Sequence, residues 1–303
     1  MTVGAEGAVP RSALRGLLSP ADGRVIAPLG RRLCEVTGNR PTGGYRIFSA
    51  LDGAGSEPRA GQFYMLSAAD GWGQRDGRPY LPRAFSVAEA GVVDGGLRLD
   101  FVVEAVGPGT ARLAELRAGE GLWVAGPLGR PFSAPGELGS RIAGAILVGG
   151  GLGLAPLAIL RRQLAQRGVP VRTLIGFRDR QHSGGVDELF GCQEVRLASE
   201  DGHVGHRGYV TDLLSVLLQG ARAGSAAVYA CGPPAMLETV RLLCAEREIA
   251  CELAMEAPMG CGFGACFGCA MPLADGGYMR LCIDGPVVRG DQIATALVAG
   301  AGH

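Results

Sequence analysis

The chain has 303 residues, 47% of them hydrophobic, which is long enough for about two domains with buried cores. Its 29 basic and 29 acidic residues balance, so the chain lacks the positive field that attracts nucleic acid or an anionic membrane. We therefore expect a protein that binds neither nucleic acid nor membranes.

The N-terminal region and the longest uncharged run bear on where the protein resides. Met1–Pro20 carries acidic and basic residues and lacks the continuous apolar core of a signal peptide. We expect residues 1–30 to form a flexible tail on a cytoplasmic protein. The run Ile142–Leu160 is interrupted by glycines and Pro156, which favours a strand, a turn and a helix over a membrane span.

Between Leu33 and Ser133 the sequence predicts a small antiparallel barrel. Short runs of β-forming residues are separated there by glycine and proline turns at nearly regular spacing. The runs are YRIFSA, QFYML, RAFSVAEA, LRLDFVVEAV and GLWVAGPLG.

Two motifs in the barrel region have residues that suit a flavin. In LPRAFSV, strand alternation places Arg83 and Phe85 on one face and Ser86 on the other. Arginine can pair with a diphosphate, and an aromatic ring can lie against a planar cofactor. In VGPGTARLAEL, Gly109 and Thr110 begin a short helix whose free amides and dipole could bind an anion. An ordinary strand and an ordinary capped helix are the alternatives.

After Gly139 the pattern changes to alternating strands and helices, which predicts a parallel sheet with helices on both faces. The strand AILVGG runs into the turn Gly149–Gly153 and then a helix, the context of a dinucleotide phosphate site, although the G-x-G-x-x-G fingerprint is absent. Cys231, Gly232 and Pro233 follow a later strand, at the edge where ligands of such sheets gather. A tight turn and a buried cysteine are the alternatives.

The last segment, from Cys251, is rich in glycine and cysteine, and its one expected helix spans Gln292–Val298. It has few periodic apolar residues, so something besides core burial must order it. The chain has nine cysteines and no secretory leader, which favours metal or redox chemistry over a disulfide framework. We expect free buried thiols at Cys34, Cys192, Cys244 and Cys251.

Four other cysteines form a C-x4-C-x2-C-x12-C pattern, whose first two spacings are those of plant-type 2Fe-2S ferredoxins. The glycines between them permit tight bends and can point amide N–H groups at the sulfurs. A structural zinc site and four free thiols are the alternatives. The expected cluster ligands are Cys261, Cys266, Cys269 and Cys282.

The order of these motifs resembles the ferredoxin–NADP reductase superfamily over residues of about 30–240. The cysteine segment, and DGHVGHRGYVTDLL from Asp201, narrow the resemblance to the electron-transfer subunit of class 1B, NAD-linked dihydroorotate dehydrogenase. The resemblance implies an FAD-binding antiparallel β-barrel at residues 31–138, an NAD-binding parallel-sheet α/β domain at 139–250, and a 2Fe-2S segment at 251–303.

The resemblance also implies the residues that hold each cofactor. The 2Fe-2S cluster would lie on the four cysteines named above. Ala84 stands where a proline is frequent in the family. For FAD the matching positions are Arg83, Ala84, Phe85, Ser86, Val102, Val103, Glu104, Gly109 and Thr110. For NAD they are Gly149, Gly150, Gly151, Gly153, Cys231, Gly232 and Pro233.

In that family, electrons pass from an FMN-containing catalytic subunit through the 2Fe-2S cluster and FAD to NAD+, in de novo pyrimidine (UMP) biosynthesis. The resemblance therefore implies a heterotetramer of two such chains and two catalytic subunits. Dihydroorotate oxidation would lie in the partner, so no catalytic acid or base is expected here. The alternatives are an NAD(P)H-dependent flavin and iron-sulfur reductase serving a ferredoxin, oxygenase or hydrogenase, and a zinc-stabilised interaction module.

Two arginines bear on the choice between NAD and NADP, and the histidines on the solvated surface. Arg178 and Arg180 could bind the 2′-phosphate of NADP or could be surface charges, and the resemblance favours NAD. The four histidines are expected on the solvated surface. They are His182, His203, His206 and His303.

Overall fold

The computed structural model of the chain describes residues 30–73, 79–191, 194–220, 225–298 and 300. The expected tail, apart from Gly30, lies outside these residues, as do Cys192 and His303. Within the described ranges, none of the helices combines the length and the apolar character that crossing a bilayer requires.

The first half of the described chain closes into a six-stranded antiparallel barrel, in the strand order β1-β2-β5-β4-β3-β6. Alternate side chains fill its interior, where the ring centroid of Phe101 lies 5.5 Å from that of Phe48 and 5.6 Å from that of Tyr64. The predicted barrel is confirmed. Its strands are β1 Arg32–Thr42, β2 Tyr45–Asp52, β3 Phe63–Ala68, β4 Arg83–Val93, β5 Gly96–Val103 and β6 Gly121–Leu128.

A second sheet has seven strands in the order β10-β9-β8-β7-β11-β12-β15, and only its last pair is antiparallel. The chain moves outward from β7 through β8 and β9, then returns to place β11 on the other side of β7. The strands are β7 Gly144–Gly150, β8 Val171–Phe177, β9 Val195–Ser199, β10 His206–Arg207, β11 Ala226–Cys231, β12 Cys251–Ala254 and β15 Val287–Arg289.

Helices cover both faces of this sheet, as the alternating pattern predicted. Leu147 of β7 packs in one hydrophobic cluster with α3, whereas its neighbours Ile146 and Val148 pack in another with α5 and α6. The α/β fold class is thus confirmed. The helices of the chain are α1 Pro108–Ala114, α2 Pro135–Leu138, α3 Leu154–Gln166, α4 Gly185–Phe190, α5 Val210–Gln219, α6 Pro234–Glu246 and α7 Leu281–Asp284.

Strand β4 of the barrel packs against helix α3 of the α/β domain. Arg162 donates from Nη2 to the Ala88 carbonyl at 2.6 Å, and Gln163 accepts from the Ala60 amide at 3.1 Å. Farther along, the buried Glu252 carboxylate of β12 accepts from the Ser133 amide at 2.8 Å and from its hydroxyl at 2.6 Å. These bonds fix the barrel relative to the sheet.

The C-terminal segment is tied to the α/β sheet at both of its ends. Strand β12 pairs parallel with β11, and β15 pairs antiparallel with β12. Between them lie a loop that carries Cys261, Cys266 and Cys269, a short hairpin, and helix α7, which carries Cys282. The boundary at residues 250 and 251 stays a prediction. The hairpin strands are β13 Ala270–Pro272 and β14 Tyr278–Arg280.

The prediction of a helix at Gln292–Val298 is wrong, because the backbone of these residues bonds to distant parts of the chain. Gln292 accepts a hydrogen bond from the Ala274 amide at 3.0 Å, and Ile293 bridges to Leu273. The Ala296 amide donates to the Glu238 carboxylate at 2.6 Å. Backbone groups committed to these partners are not available for i to i−4 bonds.

Candidate functional site

The two barrel motifs come together at the start of helix α1. Arg83 begins strand β4, and a methyl group placed on Gly109 would lie 2.8 Å from its Nε and 3.0 Å from its Nη2. The guanidinium therefore lies directly against the first turn of the helix, and a side chain at position 109 would displace it. Phe85 and Ser86 follow on the same strand, paired with Tyr64 and Phe63 of β3.

The Thr110 hydroxyl is already occupied within its own turn. It accepts from the amides of Val106 at 2.9 Å and Gly107 at 3.0 Å, and it donates to the Gly107 carbonyl at 3.1 Å. Its hydroxyl thus stabilises the turn that precedes α1. It also occupies two N–H donors that could otherwise bind an anion. Any direct ligand contact in this turn falls to the backbone around Gly109 and to Arg83.

The predicted flavin positions Val102, Val103 and Glu104 lie in two different environments. Val102 and Val103 are buried in the barrel, at 2% and 0% exposure. Glu104 instead faces the α/β domain, where its Oε1 accepts from Arg178 Nη2 at 3.0 Å and lies 3.3 Å from His182 Nε2. A carboxylate from the barrel therefore meets a cation from the neighbouring domain.

His182 is not the surface group that the sequence predicted. Its side chain is only 15% exposed, its Nδ1 lies 2.7 Å from Asp179 Oδ1, and its ring meets that of Tyr45 edge to face. The hydrogen bond from His182 lowers the pKa of Asp179. His203 and His206 are exposed as expected, at 70% and 43%.

The two predicted nucleotide motifs form one surface. Strands β7 and β11 are neighbours, with Gly149 opposite Cys231. A methyl group on Gly150 would lie 2.9 Å from Pro233 Cδ, and one on Gly153 would overlap the carbonyl oxygen of Cys231. The motifs lie at the carboxyl ends of adjacent strands where the strand order reverses, which is the usual ligand position in such sheets.

Cys231 ends β11 inside this surface and is 6% exposed. Burial, together with the charge of Glu256, raises the pKa of its thiol, so the sulfur is a neutral, soft contact group. Cys34, Cys244 and Cys251 are buried free thiols, as expected.

Backbone amides are aimed at three of the four predicted cluster sulfurs. Ala265 N–H donates to Cys261 Sγ at 3.3 Å, Gly268 N–H to Cys266 Sγ at 3.5 Å, and Cys282 N–H to Cys269 Sγ at 3.5 Å. Positive φ angles make these turns possible, and they occur at Gly262, Gly264 and Phe267.

The thiols form two pairs. Cys269 Sγ and Cys282 Sγ are buried and 3.2 Å apart, whereas Cys261 is half-buried beside the exposed Cys266. Desolvation opposes ionisation of Cys261, but bonds from the Cys266, Phe263 and Ala265 amides and the Cys266 side chain outweigh it and lower its pKa to about 7. Burial, and then the neighbouring Cys269, raise the pKa of Cys282 to about 12.

The donor set fits an iron-sulfur cluster. All four candidate ligands are sulfur, and N–H groups directed at sulfur are a feature by which proteins tune such clusters. Among the described residues no three His, Cys, Asp or Glu side chains are grouped as a metal site, and the four thiols lie as the two pairs described above.

The cysteine loop packs on the barrel close to the predicted flavin strand. A methyl group on Gly262 would lie 3.0 Å from Met65 Sδ of β3 and 3.1 Å from Leu128 Cδ1 of β6. Met65 pairs with Ala84, in the middle of the Arg83–Ser86 motif. One strand spacing therefore separates the strand beneath the loop from the strand that carries the motif.

Comparison with known proteins agrees with this arrangement. Residues 256–294 match the family described as the iron-sulfur cluster binding domain of dihydroorotate dehydrogenase B. The dihydroorotate dehydrogenase B (NAD(+)) electron transfer subunit of Geobacillus sp. (strain WCH70) is 38% identical over 190 residues, which cover 62% of this chain and 70% of that one. The protein of the same name from Clostridium acetobutylicum is 33% identical over 238 residues, covering 78% and 87%.

Solved structures share the fold. An NADH-dependent reduced ferredoxin-NADP oxidoreductase aligns with a TM-score of 0.74 at 24% identity, over 88% of this chain and 92% of that one. A ferredoxin NADP+ reductase from Neisseria gonorrhoeae aligns with a TM-score of 0.59 at 18% identity, over 73% and 92%. The family resemblance seen in the sequence is confirmed: the chain belongs to the electron transfer subunits of dihydroorotate dehydrogenase B (NAD(+)).

Proposed function

We propose that this chain takes electrons from the FMN-containing subunit of a dihydroorotate dehydrogenase and delivers them to NAD+, in pyrimidine (UMP) biosynthesis. One observation carries the proposal: the cysteine loop packs on β3, the strand paired with the Arg83–Ser86 strand. Electron transfer between two centres requires that they lie close together. This packing would place a cluster on the cysteines close to a flavin at the Arg83–Ser86 strand.

The barrel would hold FAD. The Arg83 guanidinium would bind a phosphate group, since it lies at the start of α1 and can make charge-assisted hydrogen bonds. Phe85 and Ser86 would flank the flavin ring, and Gly109 leaves room for Arg83. Val102 and Val103 would support the site from the barrel core, because both are buried.

The α/β domain would hold NAD on the surface that Gly149–Gly153 forms with Cys231–Pro233. The glycines allow close approach of a dinucleotide, and Cys231 offers a neutral thiol at the strand end. When bound, the flavin exchanges electrons singly with an iron-sulfur centre and in pairs with a nicotinamide. The side chains of this chain bind and orient these groups.

The four cysteines would hold the 2Fe-2S cluster, through thiolates that the aimed amides stabilise. Apolar side chains surround this loop: Leu81, Phe263 and Phe267 are 57%, 58% and 62% exposed. Exposed apolar residues beside a redox loop fit a docking surface for the catalytic subunit. Two of these chains and two catalytic subunits would form the assembly.

The test is coupled turnover with defined partners. We expect the chain coexpressed with the FMN-containing subunit to copurify as a two-plus-two complex, show flavin and iron-sulfur absorption, and reduce NAD+ with dihydroorotate. The catalytic subunit alone should oxidise dihydroorotate with an artificial acceptor but not with NAD+. A colourless, zinc-loaded chain would contradict the proposal. Full activity of the chain alone with a ferredoxin or oxygenase, without coupling to dihydroorotate, would support the reductase alternative.

A further inference from the structure

Trp72 lies in the turn after strand β3, next to the Arg83 motif. Its ring is half-buried and packs against the barrel core. Its indole Nε1 is shielded from solvent and has no acceptor among the described residues. Buried polar groups in native proteins are almost always hydrogen-bonded, so an orphaned donor at one position indicates a missing partner.

The neighbour of this indole is the Arg83 guanidinium, whose Cζ lies 5.8 Å from the centre of the Trp72 ring. Arg83 donates from Nη1 to the Leu81 carbonyl at 2.6 Å and forms no ion pair with another of the described residues. A tryptophan ring favours a cation at this distance and restrains its position. The ring therefore holds Arg83 near the first turn of α1.

A second arginine nearby is already satisfied. Arg112 donates from Nε to the Asp70 carbonyl at 3.1 Å and from Nη2 to Glu120 at 2.6 Å. Among the side chains that the structure describes here, the Trp72 N–H has no acceptor, and the Arg83 guanidinium has donors beyond its bond to Leu81. Two adjacent donors without a facing acceptor are the complement of an anion with several oxygens, such as a phosphate.

We propose that Trp72 is an FAD-binding residue: its indole N–H donates to the diphosphate of FAD, and its ring positions Arg83 for the same group. This inference rests on the proposed function, in which the barrel holds FAD. Trp72 was not among the residues that the family resemblance implied.

The experiment uses the full chain stripped of flavin and labelled with 15N. The chain has two tryptophans, so its spectrum has two indole N–H signals, which Trp72→Phe and Trp123→Phe assign. Trp123 is the matched control, because it lies on β6 beneath Arg31, with Cζ 5.3 Å from its ring. Each protein is titrated with FAD, ADP and riboflavin.

We expect FAD and ADP to move the Trp72 indole signal downfield and to slow its hydrogen exchange, while riboflavin, which lacks phosphate, leaves it unmoved. Trp72→Phe should weaken FAD binding about tenfold, the effect of losing one hydrogen bond to a charged group. Trp123→Phe should bind FAD within about twofold of the parent chain.

Three results overturn the inference, and they are distinguishable. If FAD binds but the Trp72 signal stays in place and Trp72→Phe binds equally well, the inference is wrong and the proposed function stands. A response to riboflavin equal to that to FAD also contradicts the phosphate assignment. If the parent chain binds no flavin at all, the proposed function and the inference both fail.

Discussion

The nucleotide surface and the cysteine loop are both built on glycine, but they reach their shapes differently. At Gly149–Gly153 the turn is bounded by buried strands and pressed against the Cys231 backbone, with no room for a methyl group at Gly153. The cysteine loop has no regular secondary structure between β12 and β13. Its sulfurs are met by amides, and two of the predicted ligands, Cys261 and Cys266, are not buried.

The difference separates a site that is shaped by packing from a site that presents its ligands mainly from a loop. Packing shapes the nucleotide surface, because side chains of β8, α3 and α6 and the backbone of β11 lie against Gly149, Gly150 and Gly153. The cysteines instead offer their sulfurs in two pairs, one buried and one partly exposed. Four experiments, from the largest expected effect to the smallest, test this comparison and the contacts around the two sites.

The largest effect is expected from Cys266→Ser. Removing one thiolate from a four-sulfur site should abolish the spin signal of the dithionite-reduced protein and lower dihydroorotate-dependent NAD+ reduction by a factor of about 100 or more. Flavin absorption should remain, because Cys266 lies outside the barrel. Cys34→Ala is the control, since Cys34 is buried in β1 and should leave the signal intact. A persistent signal in Cys266→Ser would contradict the cluster assignment.

The next largest effect is expected from Gly153→Ala. The added methyl group would overlap the Cys231 carbonyl and approach the Gly232 amide at 2.9 Å, which should cost about 2–3 kcal/mol of unfolding free energy. NAD+ binding should weaken as the turn moves. Gly136→Ala is the control, because nothing lies within 4 Å of its added methyl group, and we expect a change below about 0.5 kcal/mol. Denaturant unfolding and NAD+ titration measure both, and equal stability of the two variants would refute close packing at Gly153.

A smaller effect on stability is expected at Glu238, whose carboxylate binds the backbone of Ala296 near the C-terminus. It accepts from Arg241 at 2.7 and 2.9 Å and from the Ala296 amide, and the Arg241 bond, with these partners, lowers its pKa to about 2. A lowered carboxyl pKa stabilises the fold above the ordinary value near 4.5, and the contribution is lost as pH falls toward 2.

We therefore expect Glu238→Gln to cost about 1 kcal/mol at pH 7 and almost nothing near pH 2, measured by urea unfolding across that range. The control is Glu246→Gln, because Glu246 is 68% exposed and pairs only at the surface. A penalty for Glu238→Gln that is independent of pH would show that the carboxylate charge is not what stabilises the contact.

The smallest effect is expected for the Glu104–Arg178 ion pair, which joins the barrel to the α/β domain. A double-mutant cycle on Glu104→Gln and Arg178→Ala should give a coupling energy of about 0.5 kcal/mol that declines in high salt, because Arg178 is 65% exposed. The cycle is measured by denaturant unfolding. A coupling above about 2 kcal/mol would mean that this pair controls the domain interface more strongly than its exposure implies.

The sequence predicts the features that depend on local pattern. Alternation and glycine turns predicted the barrel strands, and buried runs ending in glycine predicted β7 and β11. The cysteine spacing predicted a shared metal site because four ligands on one short segment have few other uses. The assignment of individual site residues stays a prediction.

Features that depend on distant partners were beyond the sequence. Glu104 meets Arg178 across 74 positions, so no local pattern shows that it faces the neighbouring domain. Trp72 lies in a bend outside the strands, where an aromatic residue has no periodic signal that would link it to Arg83. The helix expected near residue 292 failed because Glu238, 58 positions away from Ala296, takes one of its backbone donors.

The attachment of the cysteine segment through β12 and β15 has a consequence for maturation. Because β12 and β15, which flank the four cysteines, are hydrogen-bonded into the α/β sheet, we expect the barrel and the sheet to fold without the cluster. Assembly would then proceed in order, with a folded receptor presented to the machinery that inserts clusters. Iron starvation should accordingly yield an intact, flavin-loaded precursor in place of a misfolded chain.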